Sequence, residues 1–212
     1  MKSALNVFVI MIMIFALTIV TGCYTPPYSP IKDQFFHGEK PEFKPGPEGG
    51  ADLVEITEGV DFAKYKMIIL DPPIFKFDST AKYNAIPGNA MSNLRKDFRR
   101  AFSDALGDAY PLVDIPNQNA MRLRFLITGV SPSIPQSSKN NTQWTYLSLG
   151  GASMKAELLD SLTYERVAAV IDTKTGDQLP AVQSRDEWVH TKEAFNYWAK
   201  RLRRWLDMMN SR

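Results

Sequence analysis

Three aspartates, Asp71, Asp160 and Asp172, fall at the expected ends of strands. Carboxylates brought together in pairs can bind a cation or share a proton. Acidic residues also close strands by accepting hydrogen bonds from turn amides, and that reading is preferred here. Asp160-Ser161 sets a hydroxyl beside a carboxylate. A serine nucleophile needs a base and an oxyanion hole, and no G-x-S-x-G elbow accompanies this pair. The pair is read as shaping a turn. The two histidines, His37 and His190, stand apart from each other and from any acidic or cysteine cluster. A zinc site needs several nitrogen or sulfur ligands at short spacing, so both are read as solvated surface residues. Gly49-Gly50 and Gly150-Gly151 are not followed by phosphate-loop residues and read as hinges. Asn140-Asn141-Thr142 matches a glycosylation sequon, and the match is read as accidental. These residues imply no catalytic set, no metal and no cofactor.

The residue best placed for covalent chemistry is Cys23, the single cysteine of the chain. Lys2 precedes an uncharged apolar run from Ala4 to Val20, and Val20-Thr21-Gly22-Cys23 closes it. A charged start, a short apolar stretch and a small-residue exit make the layout of a secretory signal. The run is shorter than the ~20 apolar residues of a membrane span. Its exit resembles a bacterial lipobox, in which Val20, Thr21 and Gly22 would be recognised and the chain cut before Cys23. The thiol of Cys23 would then carry lipid. One acyl chain holds a protein weakly at ~0.8 kcal/mol per methylene, and two or more hold it stably. Tyr24 follows where an aspartate would favour the inner membrane, so the expected address is the outer membrane, facing the periplasm. With Cys23 taken, no disulfide forms within the chain, and stability must come from a hydrophobic core.

The net charge is +2. So even a balance argues against a general nucleic-acid binder. Residues 1–22 are read as the signal peptide. Residues 23–50 hold six prolines after Cys23, among them Pro26, Pro41 and Pro47, with Gly49-Gly50 at the end. They are read as the lipidated terminus and a flexible tether. Residues 51–212 are read as one globular domain.

The elements of that domain follow from periodicity. Met67-Ile68-Ile69-Leu70 is a continuous apolar run of the kind found in a strand buried on both faces, ended by Asp71-Pro72-Pro73. Asn89–Tyr110 reads as a helix with Leu94, Phe98, Ala101, Phe102 and Ala105 on one stripe. Tyr110–Ile115 is a short strand candidate. Met121–Val130 alternates through Leu123, Phe125 and Ile127. Residues 131–149 read as a long polar connection in which Trp144 and Tyr146 are candidate contacts for a partner. Gly150–Asp160 and Val167–Asp172 read as a hairpin joined by Ser161–Glu165, and Lys174-Thr175-Gly176-Asp177 as the next turn. The chain closes with a helix over Lys192–Asn210, whose stripe runs through Phe195, Trp198, Leu202, Trp205, Leu206 and Met209. Its basic residues raise membrane contact as a second reading beside core packing. The fold class is α+β: a mixed or antiparallel sheet of about five strands with two amphipathic helices on one face.

Three segments together carry a resemblance. They are the exit at Cys23, the hairpin from Ala156 to Ala169, and Tyr197-Trp198-Ala199 followed by Leu202. The combination resembles a family of proteobacterial lipoproteins, domain of unknown function 3313, from about Lys64 onward. Tyr164 stands where that family's pattern has glycine, the residue suited to a positive φ. The resemblance implies an address and a fold but supplies no activity. The expected role is therefore a non-enzymatic, lipid-anchored binding or scaffolding protein. Its partners would be the membrane, through lipid on Cys23, and a protein of the envelope. An auxiliary or ligand-carrying subunit of envelope transport comes second, and a hydrolase built from Asp71, Asp160 and Asp172 third.

Overall fold

The computed structural model describes residues 35–76, 88–131, 134–136, 145–148, 151–175 and 188–211. The strands are β1 (Lys44–Pro45), β2 (Leu53–Ile56), β3 (Met67–Leu70), β4 (Ile74–Lys76), β5 (Ala120–Ser131), β6 (Ile134–Gln136), β7 (Thr145–Ser148), β8 (Gly151–Asp160) and β9 (Arg166–Thr175). The helices are α1 (Gly88–Leu106) and α2 (Val189–Asn210). Seven strands form one mixed sheet in the order β1-β2-β9-β8-β5-β3, and β4 also lies on the β3 side of β5. β3 and β4 run parallel to β5, while the remaining pairs are antiparallel. β6 and β7 make a separate two-stranded ladder. The fold is α+β, with two more strands in the main sheet than expected.

β5 organises the domain. Its period-two pattern sends Leu123, Phe125 and Ile127 to one face and Arg122 and Arg124 to the other. On the first face α1 buries Leu94, Phe98, Ala101, Phe102 and Leu106. The Phe125 ring meets Phe98 at 5.1 Å and Phe102 at 5.0 Å, and Phe98 meets Phe195 of α2 at 5.2 Å. Both helices therefore pack on one face. Edge-to-face ring pairs of this kind add about 0.5–1.5 kcal/mol each to plain burial. The stripe of α2 belongs to this core: Phe195, Trp198 and Leu206 are buried, and Leu202, Trp205 and Met209 pack against them. Core packing thus accounts for the apolar stripe of α2. Helix α1 ends at Leu106, just before Gly107, whose φ of +54° is the left-handed turn that glycine adopts without a Cβ clash. Arg203 of α2 donates to the free carbonyl of Leu106 at 3.0 Å, satisfying an end group that α1 leaves open.

Several expectations need correction. Residues 110–115 form no strand. Only Leu112 bridges to Ile68, because Pro111 and Pro116 remove amide donors on either side. The connection 131–149 carries β6 and β7. Strand β9 runs to Thr175, past the expected end, so Asp172 lies inside it; Gly176 and Asp177 are outside the described residues. Helix α2 starts at Val189 rather than Lys192. The tether reading fails from Phe35 onward. Phe35 is buried, and β1 pairs with β2, so residues 35–50 belong to the domain.

Candidate functional site

The sequence-derived candidates divide into three groups. Cys23, Val20, Thr21, Gly22 and Trp144 lie outside the described residues. Tyr146 sits in β7, where its backbone is in register with Pro135 of β6. The three aspartates do not form a common site, since each is held by a different cation: Asp71 by Arg122, Asp160 by Lys64 and Asp172 by Arg201. Among the described residues, no group of three His, Cys, Asp or Glu side chains converges as metal ligands would.

Asp160 closes β8 and builds the hairpin. One carboxylate oxygen accepts the amides of Leu162 at 3.0 Å and Thr163 at 3.2 Å. The other accepts Lys64 Nζ and Tyr65 Oη, each at 2.9 Å. Burial alone would raise its pKa, but the Lys64 ammonium and the amide donors outweigh that and hold it at about 2. The same contact raises the pKa of Lys64. Ser161 is also structural: its Oγ accepts from the Asn117 amide at 3.1 Å and donates to the Asn117 carbonyl at 2.8 Å. A serine so engaged, with no base beside it, does not act as a nucleophile. The hairpin then turns through Tyr164, whose φ is +61°. This is the conformation that the family's glycine implies.

Asp172 lies on the helix face of β9, buried with Trp198. The Trp198 indole donates to it at 3.0 Å, Arg201 at 3.2 Å and the Asp52 amide at 3.0 Å. Burial nevertheless raises its pKa above the ordinary carboxylate range, with Arg201 opposing. This group ties β9 to α2. His190 is fully buried too, with Nδ1 2.8 Å from Glu193, so it is not the solvated residue expected.

The densest polar cluster is on the other face of the sheet. Glu157 of β8 is 0% exposed and stands opposite Arg124 of β5. Arg124 donates to Glu157 and, at 2.8 Å, to His37 Nδ1. Arginine has no acceptor, so Nδ1 accepts and the ring proton sits on Nε2. The His37 amide donates to Glu157 at 2.7 Å, and Arg166 donates to the His37 carbonyl. Arg166 also reaches Glu55 at 2.9 Å, which in turn accepts the Glu42 amide at 2.9 Å. Phe35 lies under the Arg124 guanidinium and Tyr164 under that of Arg122, at 5.5 and 5.2 Å. Charges of both signs are thus interleaved, and the carboxylates of Glu157, Glu55 and Asp71 each have an arginine partner. The cluster clasps residues 35–42 onto the sheet and leaves no activated nucleophile or free acid.

Sequence reading missed this cluster because His37 had been placed in the tether. Glu157 within β8 and two arginines alternating through β5 are its only signals in the sequence.

A search of curated proteins finds no match. Among solved structures, a neuraminyllactose-binding hemagglutinin homolog from Helicobacter pylori is similar at 8% identity, over 68% of this chain and 87% of that one, with a TM-score of 0.42. The PelC dodecamer from Paraburkholderia phytofirmans is similar at 13% identity, over 71% and 95%, with a TM-score of 0.39. A Xanthomonas campestris protein of the DUF330 family model is similar at 13% identity, over 69% and 86%, with a TM-score of 0.43. The family model described as "Protein of unknown function (DUF3313)" matches residues 32–202, from just before the clasp into α2, and the chain belongs to that family.

Proposed function

We propose that this protein is a lipid-anchored lipoprotein of the cell envelope, held through lipid on Cys23 at the outer membrane and facing the periplasm. Its role is non-enzymatic: the domain binds or scaffolds a protein partner. The observation that carries this reading is the run Ala4–Val20 ending in Val20-Thr21-Gly22-Cys23, with Cys23 the single cysteine. The commitments of Asp71, Asp160, Asp172 and Ser161 to turns and ion pairs support it, because they leave the hydrolase alternative without a catalytic set. Trp144 and Tyr146 are the proposed partner contacts.

The test is expression of the full chain and of Cys23→Ala in a bacterium fed labelled palmitate. The wild type incorporates label and fractionates with membranes. Cys23→Ala loses the label and leaves the membrane fraction. Label retained in Cys23→Ala would overturn the assignment of the anchor.

A further inference from the structure

Six large apolar side chains are exposed among the described residues: Ile56, Ile74, Ile115, Leu162, Tyr164 and Met208. All but Ile74 stand at the end of the sheet where β8 turns into β9. Leu162 and Tyr164 belong to that turn. Ile115 is tied to it through Asn117. The Asn117 amide donates to Ser161 Oγ at 3.1 Å, Ser161 donates back to the Asn117 carbonyl at 2.8 Å, and the Asn117 side chain donates to the Ile115 carbonyl at 3.3 Å. Ile56 is paired with Ala168, near the start of β9. Met208 lies near the end of α2, where Asn210 accepts from Lys66 just ahead of β3. Ile74, in β4, is paired with Leu126, farther along β5.

Single exposed apolar residues are ordinary on a surface, but their gathering at one end is not. Ile115 is 77% exposed and Leu162 56%, so both tips stand in solvent. The backbone beneath them is fixed, since Asp160 accepts the amides of Leu162 and Thr163 and is itself held by Lys64 and Tyr65. Docking these tips therefore costs little ordering. The point where the chain enters the domain selects what they meet. Cys23 stands twelve residues before Phe35, a stretch of at most about 40 Å. Phe35 lies under Arg124, and the His37 amide is bonded to Glu157. Glu157 is three residues from the hairpin end of β8 and six from its other end, about 10 and 20 Å along the strand. The His37 ring lies 5.9 Å from that of Tyr164 itself. A short tether keeps its anchor at the highest effective concentration near the closer end.

We infer that Leu162 and Ile115 dip into the bilayer that holds the lipid of Cys23, with the Tyr164 ring at headgroup level, where amphipathic rings sit. The inference rests on the proposed anchor and adds a second contact and an orientation to it. The domain stands on its hairpin end, and its strands run away from the membrane. The exposed charges at this end are of both signs, Asp114 and Glu165 against Lys64 and Lys66. The contact is therefore apolar and does not depend on anionic lipid.

The experiment puts a new thiol at each of two exposed positions, Leu162→Cys and Ile74→Cys, in the full chain. Each protein is expressed in a bacterium, purified from its membranes and reconstituted in vesicles of phosphatidylethanolamine and phosphatidylglycerol. With Cys23 occupied by lipid, a nitrobenzoxadiazole label reacts with the new thiol alone, and mass spectrometry of the same sample reports the lipid. Circular dichroism checks that each variant is folded. Lipids bearing a nitroxide on the acyl chain quench the label at position 162 at least about threefold more than the label at 74. Ile115→Asp, added to Leu162→Cys, removes about half of that quenching or more, because a charge at the tip is costly to insert, and Ile115→Ala removes less. Exchanging phosphatidylglycerol for phosphatidylcholine changes the quenching by less than about twofold. Equal quenching at the two positions, quenching at neither, or indifference to Ile115→Asp would overturn the inference, while lipid found on Cys23 keeps the anchor standing. Quenching lost without phosphatidylglycerol would also overturn it, since charge would then hold this end. A sample without lipid on Cys23 would overturn the anchor and this inference with it.

Discussion

At the scale of single residues, Asp160 and Tyr164 define the hairpin. Asp160 holds its folded pKa at about 2, below the ordinary carboxylate value. A carboxylate lowered in the fold stabilises above its unfolded pKa, and the contribution is lost as pH falls through the folded value. Asp160→Asn is therefore expected to cost about 1–3 kcal/mol at neutral pH, the range for losing charged hydrogen bonds. In denaturant titrations, the gap between the two proteins should close between about pH 4 and pH 2. A gap that is constant with pH would mean that Asp160 acts through geometry alone. Tyr164 sets backbone strain against ring contact. Glycine there relieves a left-handed conformation worth roughly 1 kcal/mol, but loses a cation–π contact with Arg122 of about 0.5–1 kcal/mol. Tyr164→Gly is expected to change stability by less than about 1 kcal/mol in either direction. A large destabilisation would show that the ring is the main support of the Arg122–Asp71 pair.

At the scale of elements, the core depends on the aromatic contact of α1, β5 and α2. Phe98 touches Phe102, Phe125 and Phe195 at once. Phe98→Ala should cost about 3–5 kcal/mol in equilibrium unfolding, since three elements cannot close together over the missing ring. These same elements were the most legible in the sequence. The stripes of both helices and the alternation of β5 are long, and a long pattern specifies both type and face. Short elements were not legible. β1 has only Lys44 and Pro45, and is a strand because β2 offers it an edge. Tyr110–Ile115 reads as a short strand, but with Pro111 inside it and Pro116 just after it only Leu112 bridges to Ile68. Asp71 and Asp160 do stand at strand ends, Asp172 lies inside β9, and the cationic partners of all three arrive from distant segments that spacing does not reveal. The buried state of Glu157 was hidden for the same reason: its cover comes from residues 35–37, far away in sequence.

At the scale of the whole molecule, the two faces of the sheet are covered by unlike means. Two helices bury one face with apolar side chains, while a short segment is held on the other by ions. Arg124→Ala would strand the buried Glu157 carboxylate and is expected to cost about 3–5 kcal/mol. Glu157→Gln, which keeps an acceptor for the His37 amide, should cost less. Hydrogen exchange should separate local from global loss: in Arg124→Ala the His37 and Glu42 amides exchange faster, while the amides of α1 follow overall stability. Unchanged exchange at His37 would remove the clasp from this account.

The clasp has a kinetic consequence. His37 waits for Glu157, 120 residues later, and the His37 carbonyl waits for Arg166, 129 later. Closing loops of that length before any contact rewards them slows folding. The first part of the domain to leave the ribosome is thus among the last to find its place. A nascent chain stopped before β9 has no native seat for it, so assembly of this face is a late step, completed only once β9 is free.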